Sequence, residues 1–311
     1  MKLSRRAFDA LALAGVASAA LSMALTATPA MAQSADAAAG QSHLGIPVDK
    51  IGVVGFTIRD QLGEDARGTL QAVTECGIEN IEFSGPDLEG EVPSFQGVEV
   101  PQIQEFAEEF GFSVPSLGVG GDDLSDRIDV VIEAAEAVGA TYVRISGGHE
   151  DAEDPVAYYS DLAALLDEAG ATLKEAGITV AYHNHDAEFE DLGDGQSGYD
   201  ILLAETDPEN VAFELDLYWA VVGDADPVGL IEANPGRFPL FHVKDAQMVE
   251  GEDEPTFATV GQGFIDFGEI FALSETAGVD YYFIENDRPE PDGITSTCEG
   301  YAYLSSPTDP S

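Results

Sequence analysis

Eight short apolar runs rich in β-branched residues alternate with helical stretches, and this alternation limits the chain to very few folds. The runs lie at 51–58, 78–85, 112–119, 140–148, 178–185, 211–217, 239–245 and 280–287. Amphipathic or Ala-rich helices are expected at 65–75, 102–110, 124–138 and 155–175, with weaker ones at 199–203, 227–233 and 267–276. Several helices end in a glycine that leads straight into a strand: Gly77, Gly111, Gly139, Gly177 and Gly278. That is the left-handed cap expected at a helix C-terminus. Eight strands with intervening helices fit an α/β fold of the (β/α)8 TIM-barrel type, in a single domain. The competing fold, a doubly wound open sheet, would favour a Gly-rich phosphate turn after its first strand. The stretch "FTIRDQLGED" has none. No internal repeat or interdomain linker is visible.

The chain holds 59 acidic and 12 basic residues, a formal charge of −47, and its hydrophobic content of 44% suffices for a sizeable core. A single acidic block would indicate a disordered tail. Here the acids are spread between apolar runs, which indicates a hydrated, halophilic surface where high salt screens self-repulsion. Such a surface argues against nucleic acid and anionic membranes as partners, because both select clustered Lys and Arg.

The N-terminus reads as a targeting segment. "MKLSRRAF" carries Arg5 and Arg6, an Ala-rich apolar stretch follows, and an A-x-A site ends at Ala32. Residues 1–32 are expected to be a twin-arginine signal peptide rather than a membrane anchor, placing the mature protein in the periplasm or outside the cell. An ordinary secretory signal is the alternative, and Phe8 favours the twin-arginine route, which exports folded proteins. Cleavage removes Lys2, Arg5, Arg6 and Asp9 and leaves 9 basic and 58 acidic residues. Residues 33–48 read as a flexible leader, and 49–311 as the barrel. Cys76 and Cys298 do not make a disulfide framework; one bridge and two free thiols are both open.

In a barrel the C-terminal ends of the strands face the active site. The fifth run ends in "YHNHDAEF", with His183, Asn184, His185 and then Glu188. The sixth ends in "FELDLYW", with Glu214 and Asp216 on one face; the seventh in "FHVKD", with His242 and Lys244; the eighth in "FIENDR", with Glu285 and Asp287. A carboxylate, an imidazole and a second carboxylate thus arrive from adjacent strands. With a fourth ligand from strand five they can enclose one divalent metal, and such ligands suit Mn²⁺, Co²⁺, Zn²⁺ or Mg²⁺. Asp216 and Glu285 lie inside apolar strands, where an unpaired carboxylate is costly to bury. Salt bridges to Lys244 or Arg288 are the structural alternative for them, and a satisfied core imidazole is the alternative for His242. Lys244 is expected to meet substrate or a carboxylate. Further candidates for substrate contact are Trp219 (the only Trp), Arg144, Glu82 and Arg288, and the acidic, Gly-containing loop 248–264 is a candidate lid.

Taken together, "YHNHDAEF", "FELDLYWAVVGDADP", "GRFPLFHVKD", "VGQGFIDFGEIF" and "FIENDRP" resemble the sugar phosphate isomerase/epimerase family of xylose isomerase-like TIM barrels, over about 51–289. The resemblance implies one divalent metal held by Asp216, His242, Glu285 and a ligand from strand five. Many members carry Glu where this chain has His183. The "HNH" form resembles an exported branch, which implies Glu188 as that ligand and His185 as the base, with His183 as the alternative ligand. The chemistry implied is proton abstraction next to a carbonyl on a non-phosphorylated keto-sugar, by an isomerase or epimerase. His183, His185 and Lys244 would move the protons. Elimination from a 3-keto-glycoside on the same site and a non-catalytic periplasmic sugar-binding protein are the alternatives. A small-molecule sugar or glycoside is the expected partner, and a homo-oligomer is compatible with the sequence.

Overall fold

The computed structural model describes residues 40–149, 152–252 and 254–307. The expected signal peptide lies outside the described residues, as does the leader up to residue 39. The described residues fall within one compact unit. Eight strands line up in parallel: β1 Ile51–Val54, β2 Asn80–Glu82, β3 Ser116–Gly118, β4 Tyr142–Ser146, β5 Thr179–His183, β6 Val211–Asp216, β7 Leu240–Val243 and β8 Tyr281–Ile284. They pair in the order β2-β1-β8-β7-β6-β5-β4-β3. Parallel bridges between Asn80 and Ser113 and between Phe83 and Leu117 bring β2 to β3 and close the barrel.

Each strand is followed by a helix: α1 Arg59–Glu75, α2 Val100–Phe110, α3 Ile128–Val138, α4 Pro155–Glu175, α5 Gly198–Glu205, α6 Pro227–Ala233, α7 Phe267–Phe271 and α8 Gly293–Ser305. All five glycines expected to stop helices hold positive φ, between 76° and 110°. The helix expected over 124–138 breaks at Arg127 into Gly121–Asp126 and α3. Part of the acidic excess works locally. Asp154, Asp226, Asp266 and Asp292 each cap a helix N-terminus by accepting from a backbone N–H. The end of the expected leader is packed: Ile46 is fully buried, and Ser42 pairs with Pro307. α8 was not anticipated. It is joined to α1 by a Cys76–Cys298 disulfide, which decides between the bridge and the free thiols.

The barrel interior is layered because side chains alternate along each strand. Val54, Ala181, Ala212, Leu240 and Phe283 form an apolar layer. Two residues further along their strands come His183, Glu214, His242 and Glu285, all buried. A much larger apolar cluster lies between the strands and the helices. The apolar layer thus forms the floor under a charged one at the strand ends.

Candidate functional site

The charged layer begins with Glu82 at the end of β2. It is fully buried; Oε2 accepts from Ser116 Oγ at 2.5 Å, and Oε1 accepts from Arg144 Nε at 2.9 Å. His242 Nε2 lies 3.1 Å from Glu82 Oε1 and 3.1 Å from Glu214 Oε2. The far side of the same ring points to a second set: Nδ1 is 2.8 Å from Glu285 Oε2 and 3.9 Å from Asp216 Oδ2. His183 closes this side, its ring centroid 4.4 Å from that of His242. Asp216 also caps the short helix Leu217–Val222: Oδ1 accepts from Trp219 N at 2.9 Å, which leaves Oδ2 aimed at the cluster. Lys244 Nζ sits 3.0 Å from Asp216 Oδ2, 2.9 Å from Glu285 Oε2 and 3.1 Å from Asp287 Oδ1.

Burial pushes the His242 imidazole toward neutrality, but Glu214, Glu285 and Glu82 outweigh it and hold the ring protonated, well above the usual histidine range. Burial opposes the charge on Lys244 as well, and Asp216, Glu285 and Asp287 keep it as an ammonium. Burial raises Glu82, yet Arg144 and His242 bring it down to about 2. Glu214 has weaker support, and burial together with Glu82 raises it to about 7. Burial, with help from His242, drives His183 far below its ordinary value. Burial likewise lowers His185. A protonated imidazole and an ammonium thus supply the positive charge among these carboxylates.

The donor set fits a divalent cation. His183, Asp216 and His242 each offer a ligand atom, all within 4.8 Å of one another, and Glu82, Glu214 and His242 form a second such group. His183 Nδ1, Asp216 Oδ2, His242 Nδ1 and Glu285 Oε2 are buried, and none makes a geometrically sound hydrogen bond. Several converge at ion-pair distance nonetheless. Buried polar atoms that meet without hydrogen-bond geometry are what a metal-binding cluster presents. Two imidazoles with carboxylates suit a borderline or hard divalent ion.

The structure brings His183, Asp216, His242, Lys244 and Glu285 together. It sets Glu188 apart: Oε1 accepts from Tyr182 Oη at 2.6 Å and Oε2 from His185 N at 3.0 Å, so this carboxylate braces the loop that carries His185. At the end of β5 it is His183, not Glu188, that joins the cluster. The His185 ring stands 4.9 Å from His183 and 5.6 Å from Trp219, and it lines a cavity of about 640 Å³ with His183, Lys244, Glu285 and Arg144. Glu82, expected to meet substrate, is enclosed by its protein partners instead. Arg144 reaches the cavity while bound to Glu82 and, at 3.5 Å, to Glu214. Trp219 and Arg288 line an adjacent space with Tyr218 and Phe257.

Two features were missed. Glu214 was noted on the right face but given no role, although it lies between His242, His183 and Arg144. Asp245 accepts from the backbone N–H of Ala246, Gly261, Gly263 and Ile265, tying down the loop expected as a lid. An antiparallel ribbon pairs Asp245–Gln247, just before that loop, with Thr256–Ala258 inside it.

A family model described as "Xylose isomerase-like TIM barrel" matches residues 70–301. The chain belongs to this family. A structure from Parabacteroides distasonis described as a sugar phosphate isomerase/epimerase is 22% identical, covers 84% of this chain and 95% of that one, and superposes with a TM-score of 0.67. The IolI protein with a bound zinc atom is 16% identical, covers 82% and 98% of the two chains, and has a TM-score of 0.61. An inosose dehydratase of Lacticaseibacillus casei is 25% identical over 146 residues, 42% of this chain. The chain spans about half the length of such curated relatives, 47% in this case.

Proposed function

We propose that the chain is a divalent-metal-dependent enzyme that removes a proton next to a carbonyl of a non-phosphorylated keto-sugar, as an isomerase or epimerase. The observation that carries this reading is the convergence of buried ligand atoms from His183, Asp216, His242 and Glu285, which meet one another and Lys244 without hydrogen-bond geometry, beside His185 on one cavity wall. When bound, a divalent ion supplies Lewis-acid stabilisation of the negative charge that develops beside a carbonyl. His183, Asp216, His242 and Glu285 would hold it, with His242 giving up the proton it carries in the metal-free cluster. The His185 imidazole, kept neutral by burial, takes the proton through a ring nitrogen at neutral pH. Lys244, held as an ammonium, donates to a substrate oxygen. The apolar floor beneath excludes water from below.

A second reading, elimination at the same site, is favoured by the dehydratase relatives, since loss of water or of an aglycone begins with the same proton abstraction. Export by the twin-arginine route to an oxidising compartment is supported by the disulfide.

The test is the metal content of the mature protein, purified folded in high salt, beside Asp216→Ala. It is combined with ¹H–²H exchange at the carbon next to the carbonyl in inososes, free ketoses and 3-keto-glycosides. The proposal expects about one divalent ion per chain, lost in the variant together with exchange. A wild type that takes up no metal after soaking in Mn²⁺, Co²⁺ or Zn²⁺ refutes it and moves a sugar-binding protein to first place.

A further inference from the structure

The segment between β2 and α2 makes a small antiparallel sheet in which Ser94–Phe95 pairs with Pro86–Asp87 and with Val98–Glu99. The register Phe95 to Val98 leaves Gln96 and Gly97 as a two-residue hairpin loop. Both have positive φ, 50° at Gln96 and 78° at Gly97. That is the turn for which Asn, Asp or Gly is the usual first residue, because a longer side chain is strained there. Glutamine gains nothing locally from the position. Its side chain nevertheless reaches the cavity of the candidate site, and both carboxamide atoms are buried without a hydrogen-bond partner. The neighbouring backbone has been cleared for it: a Cβ at Gly55 would overlap Gln96 Oε1. A strained backbone, a buried carboxamide with no protein partner and a glycine that makes room for it all converge on one wall of the cavity. That wall hangs from β2, which lies four strands from β6 around the ring of eight, across the barrel from Asp216.

We propose that Gln96 is a ligand-binding residue that receives a pair of adjacent hydroxyls, or a hydroxyl beside a carbonyl, on a polyhydroxylated ligand. The inference rests on the reading of the cavity as a keto-sugar site and specifies what recognises the ligand at the end away from the metal ligands. A carboxamide presents one acceptor and one donor side by side. Two vicinal hydroxyls, each able to donate and accept, satisfy both. An ionised phosphate oxygen only accepts, so a phosphate could satisfy Oε1 only through a remaining P–OH group, whereas each of two vicinal hydroxyls can do either.

The experiment is titration of the full mature chain in high salt with myo-inositol and, separately, with inorganic phosphate. Calorimetry is the readout. Gln96→Leu keeps the strained turn and removes the carboxamide; Gln96→Gly removes both. The expected result is that wild type binds myo-inositol, that both variants weaken it about three- to tenfold, and that Gln96→Gly melts no lower than wild type. Unchanged affinity in both variants overturns the proposal. So does a wild type that binds phosphate but not myo-inositol, or neither. A loss of affinity accompanied by a fall in melting temperature in both variants assigns Gln96 a structural role and overturns it as well. Metal content measured on the same samples separates the two ideas. Metal-free wild type with Gln96-dependent polyol binding would leave this subsite standing while the catalytic reading falls. Metal-loaded, active protein indifferent to Gln96 would do the reverse.

Discussion

Reducing the Cys76–Cys298 bridge should destabilise the barrel by an amount that follows from topology. The bridge spans 222 positions and links α1, which follows the first strand, to α8, which follows the last. Closing a loop of that length in the unfolded chain removes entropy worth about 5 kcal/mol at 25 °C in the chain-entropy treatment. For a domain of this size that is about 10–20 °C in melting temperature. The reduced unfolded chain also exposes more surface, so the slope of urea unfolding should steepen as its midpoint falls. The assay is urea unfolding in molar salt for oxidised protein, for protein held in a phosphine reductant, and for Cys76→Ser/Cys298→Ser. Reduction and substitution should give the same curve, and the oxidised protein should show no free thiol in denaturant. Coincident curves for all three would refute the argument that this bridge limits the unfolded ensemble.

The remaining expectations concern surface, core and edge. With 59 acids against 12 basic residues, the melting temperature should climb steeply between low salt and molar KCl and then flatten as the Debye length shortens; a melting temperature that falls with KCl would sink the halophile proposal. Phe213 is fully buried on the outer side of β6, among Tyr182, Tyr199, Phe238 and the Arg237 guanidinium. Phe213→Ala should cost about 3–5 kcal/mol in urea unfolding while metal content in the folded fraction stays unchanged. Tyr142 donates to Asp280 at 2.5 Å, and burial followed by that hydrogen bond raises its pKa. Its contribution to stability is therefore complete below the unfolded tyrosine pKa and declines as pH rises from there toward the folded value. Tyr142→Phe should flatten the alkaline limb of stability against pH, and a limb of unchanged slope would exclude this pair as its source.

The pairs Glu214/Asp216, His242/Lys244 and Glu285/Asp287 were legible because a strand repeats its facing every second residue, so ionisable groups two apart at the end of an apolar run must share a face. The eight strands were legible for the same reason: their apolar runs are short, and five are preceded by a glycine at positive φ. What could not be read is contact across the ring. Glu82 and Glu214 stand on strands four apart, and only closure brings both to His242 Nε2. Glu188 shows how chain distance hides a turn. Five residues beyond His183, the 3-10 helix Ala187–Phe189 folds its carboxylate back onto Tyr182 and the His185 N–H. The hairpin that presents Gln96 did leave a signal, a "QG" pair between two extended residues on each side, in a turn where glutamine has no local advantage. A residue that fits its local structure poorly and faces a cavity is better explained by what it holds than by what it packs against. By that criterion Gln96 and the cluster at His242, whose buried atoms meet without hydrogen-bond geometry, are two walls of the proposed site, one for ligand oxygens and the other for a cation.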